Sequence, residues 1–439
     1  MKGFSNPLLP VPFGDPDANV YEGKVYAYGK RDRRCRPDAN DKSWTAFSSS
    51  DLVNWTDHKD IFHMDDIPWA VSHAFAPGAA SRDGLYYLYA PCRDKNEQWN
   101  TAVGVSSNPE GPFTCKARIE INEYDPCVFI DDDGQAYLYF PGLMARLKDN
   151  MYEVEGQLIR RDDYLVGGPL DPEKYGVWEN PYLFKKDGKY HYLLSVFDLD
   201  AEGNLIWGQK IHHWLGDSPM GPFYYKGLVY YPSRGNCGTS IIEFQGRWYF
   251  FYHRPLWSED VGCVERKACM EPVEFNEDGT IKPVMATLPG TELINARTYS
   301  ADSGNWDVND RAKSLQNLHD GDVTTPAAAI GPEAWVEYAF DEPKNIDRVR
   351  LHGDKSGHWR LGRWKVMALV DGQWRDALGW TALSSDGWQE ITFEPITTSK
   401  VRGCFKPGLE DRIELQCFQL FEAGSDATSL PGSPVENKE

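Results

Sequence analysis

The sequence predicts an all-β protein in two parts: a five-bladed β-propeller over residues 1–290, then a β-sandwich of discoidin or jelly-roll type over 291–424. Two observations lead there. A strand–turn–strand segment recurs five times, and beyond residue 290 its spacing gives way to a different succession of strand-like runs. The recurring segment reads VYEGKVYAYG (20–29), RDGLYYLYAP (82–91), DDGQAYLYFPG (132–142), KDGKYHYLLS (186–195) and FQGRWYFFYH (244–253). Its turn glycines, Gly23, Gly84, Gly134, Gly188 and Gly246, are 61, 50, 54 and 58 residues apart, and an aromatic run follows each. Gly after an acidic residue or Gln, between two such runs, is hairpin chemistry, because a tight turn needs positive φ. Strand-rich repeats of this length without helical periodicity suit propeller blades better than solenoid coils. SSDLVNW (49–55), SNPEGPF (107–113) and DSPMGPF (217–223) read as turns beside the outer strands.

Composition narrows the function. At 439 residues the chain exceeds what one core usually serves. A formal charge of −20, with no basic run to reverse it locally, excludes nucleic acid and anionic lipid surfaces as partners. No stretch of about 18 apolar residues offers a membrane-spanning helix. Aromatic residues are 13% of the chain, including 16 Trp and 23 Tyr, which suits both strand formation and stacking against sugar faces. The nine Cys are odd in number and show neither a CxxC pair nor a zinc-like Cys/His spacing. With a start, MKGFSNPLLPVPFGDPD, that lacks an apolar leader core, they predict a reducing, cytoplasmic setting. A periplasmic or secreted one is the alternative if a leader has been removed.

In a propeller the innermost strand of every blade lines the axis, so equivalent repeat positions converge there. A proline stands seven residues before the turn glycine in three repeats (Pro16, Pro77, Pro181) and eight before it in another (Pro126), where the Asp131–Asp133 run adds a residue. Ahead of these prolines sit Asp15, Ala76, Asp125 and the pair Glu179–Asn180, so three of four comparable strand starts carry an acid. A single Asp-Pro is turn chemistry. Carboxylates at equivalent points of a closed repeat crowd like charges on one axis, which costs free energy and points to catalysis.

These stretches resemble glycoside hydrolase family 43, a five-bladed propeller family of arabinofuranosidases, β-xylosidases, arabinanases and some galactan-active enzymes. GDPDANVYEGKVYAYG, YDPCVFIDDDGQAYLY, VWENPYLFKKDGKYHYLLS and TSIIEFQGRWYFFYHRP carry the likeness over roughly residues 5–290, closing at VEFNEDGTIKPV (273–284). The resemblance implies Asp15 as general base, Glu179 as general acid, and Asp125 as the residue that orients the acid and raises its pKa. Asp17 is the rival base. The resemblance also implies inversion, in which the two carboxyls stand about 6.5–9.5 Å apart to admit a water. It places Phe75, in HAFAPG where relatives often carry Trp, on the floor of the terminal-sugar subsite. His253 is placed near the axis, beside substrate and beside a bound calcium or water network in many relatives. Arg234, in PSRGNCGTS, is expected to hydrogen-bond a sugar hydroxyl or to pair with Asp15.

The substrate implied is a plant-type oligo- or polysaccharide with a terminal pentose, α-L-arabinofuranose before β-xylose, with β-galactofuranose third. The chemistry needs no cofactor, and the only metal expected is a structural calcium. Two other readings stand beside this one. A retaining fructosidase-type propeller would carry Asn-Asp-Pro-Asn-Gly where this chain has Gly-Asp-Pro-Asp-Ala, and a lectin-like propeller would bind glycan without cleaving it.

Beyond residue 290, runs such as WVEYAFDEPKNIDRVRLHG and GRWKVMALVDGQWRDALGW resemble the discoidin-like fold that includes carbohydrate-binding module family 32. That resemblance implies a glycan-binding loop with His358, Trp359 and Arg360, and a calcium loop with Asp320, Asp322 and Thr325. The Ser-, Pro- and charge-rich tail over 425–439 is expected to be disordered.

Overall fold

The computed structural model describes residues 6–9, 11–31, 42–230, 237–258, 263–284, 296–300, 318, 327–330, 332–353, 360–383, 387–408 and 412–423. It divides into two compact units, the larger comprising Pro7–Pro255 and Val264–Val284, the other built mainly from residue 285 onward.

The larger unit consists of five sheets in chain order, antiparallel throughout except that one short strand, Leu165–Val166, joins the fourth in parallel. The first holds β1 (Gly14–Tyr21), β2 (Lys24–Lys30), β3 (Ser43–Ser49) and β4 (Thr56–His63). The second holds β5 (Gly78–Arg82), β6 (Leu85–Arg93), β7 (Trp99–Ser106) and β8 (Thr114–Ile119), and the third β9 (Cys127–Ile130), β10 (Ala136–Tyr139), β11 (Leu143–Leu147) and β12 (Val154–Arg160). In the fourth, β13 (Leu165–Val166) lies outside β17 (Phe223–Tyr230), followed inward by β16 (Leu205–Gly216), β15 (Lys189–Leu199) and β14 (Tyr175–Lys186). The fifth is β18 (Thr239–Phe244), β19 (Arg247–Ser258) and β20 (Cys263–Pro272). The first strands touch in cyclic order, β1 to β5, β5 to β9, β9 to β14, β14 to β18 and β18 back to β1. The sheets are therefore blades of one closed five-bladed propeller.

Closure runs through named bonds. Ser240 Oγ on β18 accepts the Ala18 N–H and donates to the Pro16 carbonyl on β1, both at 2.9 Å. The segment ahead of β1 bonds to β20, through Leu8 N–H to Ala268 O and Phe13 N–H to Arg266 O.

The five hairpins join the first and second strands of each blade, as the repeat predicts. In four of them both central residues have positive φ: Glu22 and Gly23, Asp83 and Gly84, Asp187 and Gly188, Gln245 and Gly246. That is the two-residue turn whose twist matches paired strands. In the third blade only Gly134 has positive φ, and the extra residue is absorbed in a longer loop closed by Asp131 N–H to Gln135 O at 2.9 Å.

Most repeat aromatics serve the core. Tyr28, Tyr89 and Tyr139, each five residues after its turn glycine, are fully enclosed. Their hydroxyls donate to Pro109 O, Met151 O and Pro219 O, which lie in the turns between the third and fourth strands of the next blade. Each blade thus pins its neighbour's outer turn, which accounts for SNPEGPF and DSPMGPF echoing through the sequence. Between blades the packing is aromatic, as with Trp44, Phe62 and Phe113 between the first two and Tyr192, Trp214 and Phe223 around the fourth.

In the smaller unit one hydrogen-bonded path runs β22 (Ala327–Ile330), β27 (Arg412–Glu422), β23 (Ala334–Gly353), β26 (Gly387–Pro407), β24 (Leu361–Val370) and β25 (Gln373–Thr381), with β21 (Ala296–Ser300) on β23. The long β23 and β26 break register between Ala339 and Lys344 and between Ile346 and Arg348. Both halves of this path bury side chains in one core that includes Val336, Trp364, Phe405 and Phe418, consistent with a β-sandwich.

Tyr28→Phe tests the pinning of outer turns. It removes the donor to Pro109 O inside a closed core, and a urea titration should show a loss of about 1–2 kcal/mol with the slope unchanged.

Candidate active site

The cavity at the propeller axis is lined by the first strand of every blade or the residues just ahead of it: Asp15, Pro16 and Asp17; Ala76 and Pro77; Asp125, Pro126 and Cys127; Asn180, Pro181 and Tyr182; and Thr239. The proline-marked register therefore converges as the sequence implies. The backbone adds what the sequence did not show. Asp15 (φ 55), Asp125 (φ 51) and Asn180 (φ 48) are all left-handed, each immediately before a proline. Asp and Asn tolerate that region better than other side-chain-bearing residues. Asn180, not Glu179, is thus the register equivalent of the two aspartates. Glu179 stands one residue earlier, paired with Ser195 on β15 and partly exposed.

Asp15 is 6% exposed, and its surroundings come from the fifth blade. Arg266 Nη1 donates to Asp15 Oδ1 at 2.9 Å and to Oδ2 at 3.0 Å, while Lys30 Nζ lies 3.9 Å from Oδ2. Two cations beside one carboxylate favour its charged form. The Asp15 N–H donates to His253 Nδ1 at 3.0 Å, which leaves the imidazole's proton on Nε2 when it is neutral. Two glycines make room: a Cβ on Gly14 would stand 2.8 Å from the Arg266 guanidinium carbon, and one on Gly238 2.9 Å from Asp15 Cα.

Asp125 is enclosed beneath Glu179 and Asp15. Burial first, then the charges of Glu179 and Asp15, push its pKa well above the ordinary carboxylate value; Lys30 and the Asn180 N–H, 3.3 Å from Oδ2, pull the other way. Three carboxyls share this space, and their crowding favours the protonated form of Asp125. Glu179 Oε2 accepts from Gln209 Nε2 at 3.0 Å, and Gln209 Oε1 accepts the Cys237 N–H at 2.9 Å. Cys237 thus supports Glu179 through Gln209, and the neighbouring Gly238 packs against the Asp15 backbone.

The geometry matches a known family. The sequence profile of the glycosyl hydrolases family 43 covers residues 4–281. The chain belongs to that family. It is 32% identical over 325 residues to a xylosidase/arabinosidase 43A of Humicola insolens, spanning 61% of this chain and 95% of that protein. It is 28% identical over 319 residues to a β-D-galactofuranosidase of Aspergillus niger, spanning 65% and 86%. The crystal structure of a family 43 β-xylosidase/α-arabinofuranosidase from a compost microbial metagenome, solved with xylotriose in a calcium-free form, superimposes with a TM-score of 0.55. It is 29% identical and covers 65% of this chain and 98% of that one. The protein is a glycoside hydrolase, and nearly all of the family match falls in the larger unit.

Within this family 43 site, the residues singled out in the sequence fall in different places. Asp15 and Asp125 line the cavity, and Glu179 acts electrostatically on Asp125 and on the neighbouring Tyr124. Phe75 is partly exposed, its ring 4.6 Å from that of Trp99 and 6.3 Å from that of Tyr124, with Lys30 Nζ 4.6 Å over its face. His253, expected among the substrate contacts, has no exposed surface, and its Nδ1 accepts the Asp15 N–H. Arg234 lies outside the described residues, as do Asp320, Asp322, Thr325, His358, Trp359 and the tail from 425. Arg360 is described, and its carbonyl accepts the Gly408 N–H at 2.9 Å. Among the described residues no group of three His, Cys, Asp or Glu side chains is arranged to hold a metal ion.

Sequence reasoning missed three residues: Arg266, Lys30 and Gln209. All are polar side chains inside strands that are otherwise buried, with Gln209 fully enclosed. A charged or amide residue within an apolar strand was the available signal.

Asp17 lines the same cavity, but its Oδ2 is taken by the Ala79 N–H at 2.6 Å and by Asn19 Nδ2 at 3.2 Å. Burial, against those two bonds, raises its pKa to about 7. The folded chain then binds this proton more tightly than the unfolded chain does, so stability falls as pH rises from about 4 through 7. Asp17→Asn removes the titration. Its melting temperature relative to wild type should climb between pH 5 and pH 8, with turnover kept within a few-fold. Asp15→Asn should instead lower kcat/KM by about 10²–10⁴-fold. A large loss of turnover in both variants would count against Asp15 as the sole base.

Proposed function

We propose that this family 43 enzyme removes a terminal pentose from plant-type oligo- or polysaccharides with inversion, α-L-arabinofuranose first and β-D-xylose second. Asp15 takes a proton from a water, the water oxygen attacks the anomeric carbon, and the glycosidic C–O bond breaks. Glu179 delivers its proton to the departing oxygen. The observation that carries this reading is the unequal treatment of the carboxyls. Asp15 is held by Arg266 and Lys30 in a buried position suited to a charged base. Glu179 is partly exposed, with Oε2 accepting from Gln209 Nε2.

Asp125, protonated between them, fits the role of spacer and hydrogen-bond donor. A cavity floored by five strand starts suits a chain end more than the middle of a polymer. The similarity to proteins named xylosidase/arabinosidase and β-D-galactofuranosidase supports furanose and pyranose pentosides as the substrates to try first, with β-galactofuranose third. The smaller unit would hold the enzyme near its polymer, raising effective concentration without adding chemistry.

The panel that tests this reading is 4-nitrophenyl α-L-arabinofuranoside, β-D-xylopyranoside and β-D-galactofuranoside. Hydrolysis of the first should be fastest, and proton NMR of the first-formed sugar should show the inverted anomer. A retained anomer removes the assignment of Asp15 as base. Glu179→Gln should cost about 10²–10⁴-fold on a natural disaccharide, and clearly less on the 2,4-dinitrophenyl glycoside, whose leaving group needs little protonation. Equal losses on both substrates would remove Glu179 from the role of acid.

A further inference from the structure

Three left-handed residues ring the axis, and two of them are the carboxylates discussed above. The third, Asn180, has no role in proton transfer, yet it lines the same cavity. Its residue surface is 9% exposed. Its backbone N–H goes to Asp125, while among the described residues no hydrogen bond reaches its side-chain amide. A point one Cβ out from Gly238 is 3.0 Å from both Asn180 Oδ1 and Asp15 Oδ1, so the amide stands beside the base carboxylate. The amide thus has hydrogen-bonding capacity that only a group entering the cavity can use.

We propose that the side-chain amide of Asn180 hydrogen-bonds a hydroxyl of the terminal sugar, and so helps set how tightly and how selectively that sugar is held. Nδ2 donates to the hydroxyl oxygen and Oδ1 accepts its proton. This assignment rests on the glycosidase reading above. A simpler account also exists: Asn tolerates positive φ, so the residue would satisfy the backbone and nothing more. Glycine separates the two accounts, because it accepts φ 48 without strain and carries no amide.

The test compares wild type with Asn180→Gly. Competitive inhibition by D-xylose and by L-arabinose is measured alongside hydrolysis of the two 4-nitrophenyl pentosides, with melting temperatures recorded. The inhibition constant of the tighter-bound sugar should rise roughly tenfold, as for the loss of one hydrogen bond. The two limbs of the pH profile of kcat/KM should stay in place. Monodeoxy xylosides sharpen the result: the wild type should pay a penalty for one missing hydroxyl that the variant no longer pays. If Asn180→Gly folds poorly, Asn180→Ala gives the same comparison. Unchanged inhibition constants in a folded, active variant overturn the Asn180 assignment and leave the glycosidase reading standing. A wild type that hydrolyses neither pentoside and binds neither sugar overturns both.

Discussion

The ion pair between Asp15 and Arg266 joins residues 251 positions apart, on the first and fifth blades, and most of the site depends on it. Its surroundings are also the seam of the ring. Phe13 N–H bonds to Arg266 O, and Ser240 bonds to β1 on both sides of Asp17, at Pro16 O and Ala18 N–H. Closing the propeller and setting the base are therefore one structural event. A buried carboxylate is costly alone, and removing one partner of such a pair leaves an uncompensated charge. The seam thus carries an electrostatic condition as well as a packing one: if the blades part, the pair is lost with them.

The same seam explains the glycines. Gly14 and Gly238 flank Asp15, and a Cβ on either would collide with Arg266 or with the aspartate itself. Gly78 has an equivalent place between the second and third blades, where a Cβ would stand 2.4 Å from the Pro126 carbonyl. Five strands meeting on one axis leave little room, so small residues sit where backbones approach and polar residues sit where the cavity must remain. The left-handed conformation of Asp15, Asp125 and Asn180 belongs to this crowding. Backbone strain of this kind persists only when the surrounding structure over-determines it, and it gathers at functional sites.

Much of this was legible in the sequence, for a physical reason. Hairpin turns need glycine at fixed places, and prolines mark the strand starts, so the five-fold register could be read and the convergence of Asp15 and Asp125 followed from it. The closing partners could not be read that way. Arg266 reaches Asp15 from β20, outside the repeated segment, and Lys30 from the end of β2, at a register position where the other blades carry no cation that register alone would single out. His253 is enclosed behind Asp15, a detail the register does not carry, because it fixes the height of a residue along a strand and not which side of a neighbour it occupies. The aromatic wealth that suggested sugar stacking is spent mainly on the core, as with Tyr28, Tyr89 and Tyr139.

The offset of Glu179 follows from the same geometry. Had the acid stood at the register position of Asn180, it would have joined Asp15 and Asp125 in the tight ring, where burial and neighbouring carboxylates already raise the pKa of Asp125. Moving it one residue outward places it at a partly exposed point, braced by Gln209, where it can lose a proton to a leaving group and recover one from solvent. The vacated position is then available to an uncharged side chain. An amide there adds hydrogen-bonding capacity to the ring without adding a fourth charge, the one kind of polar group that this crowded axis can accommodate at low electrostatic cost.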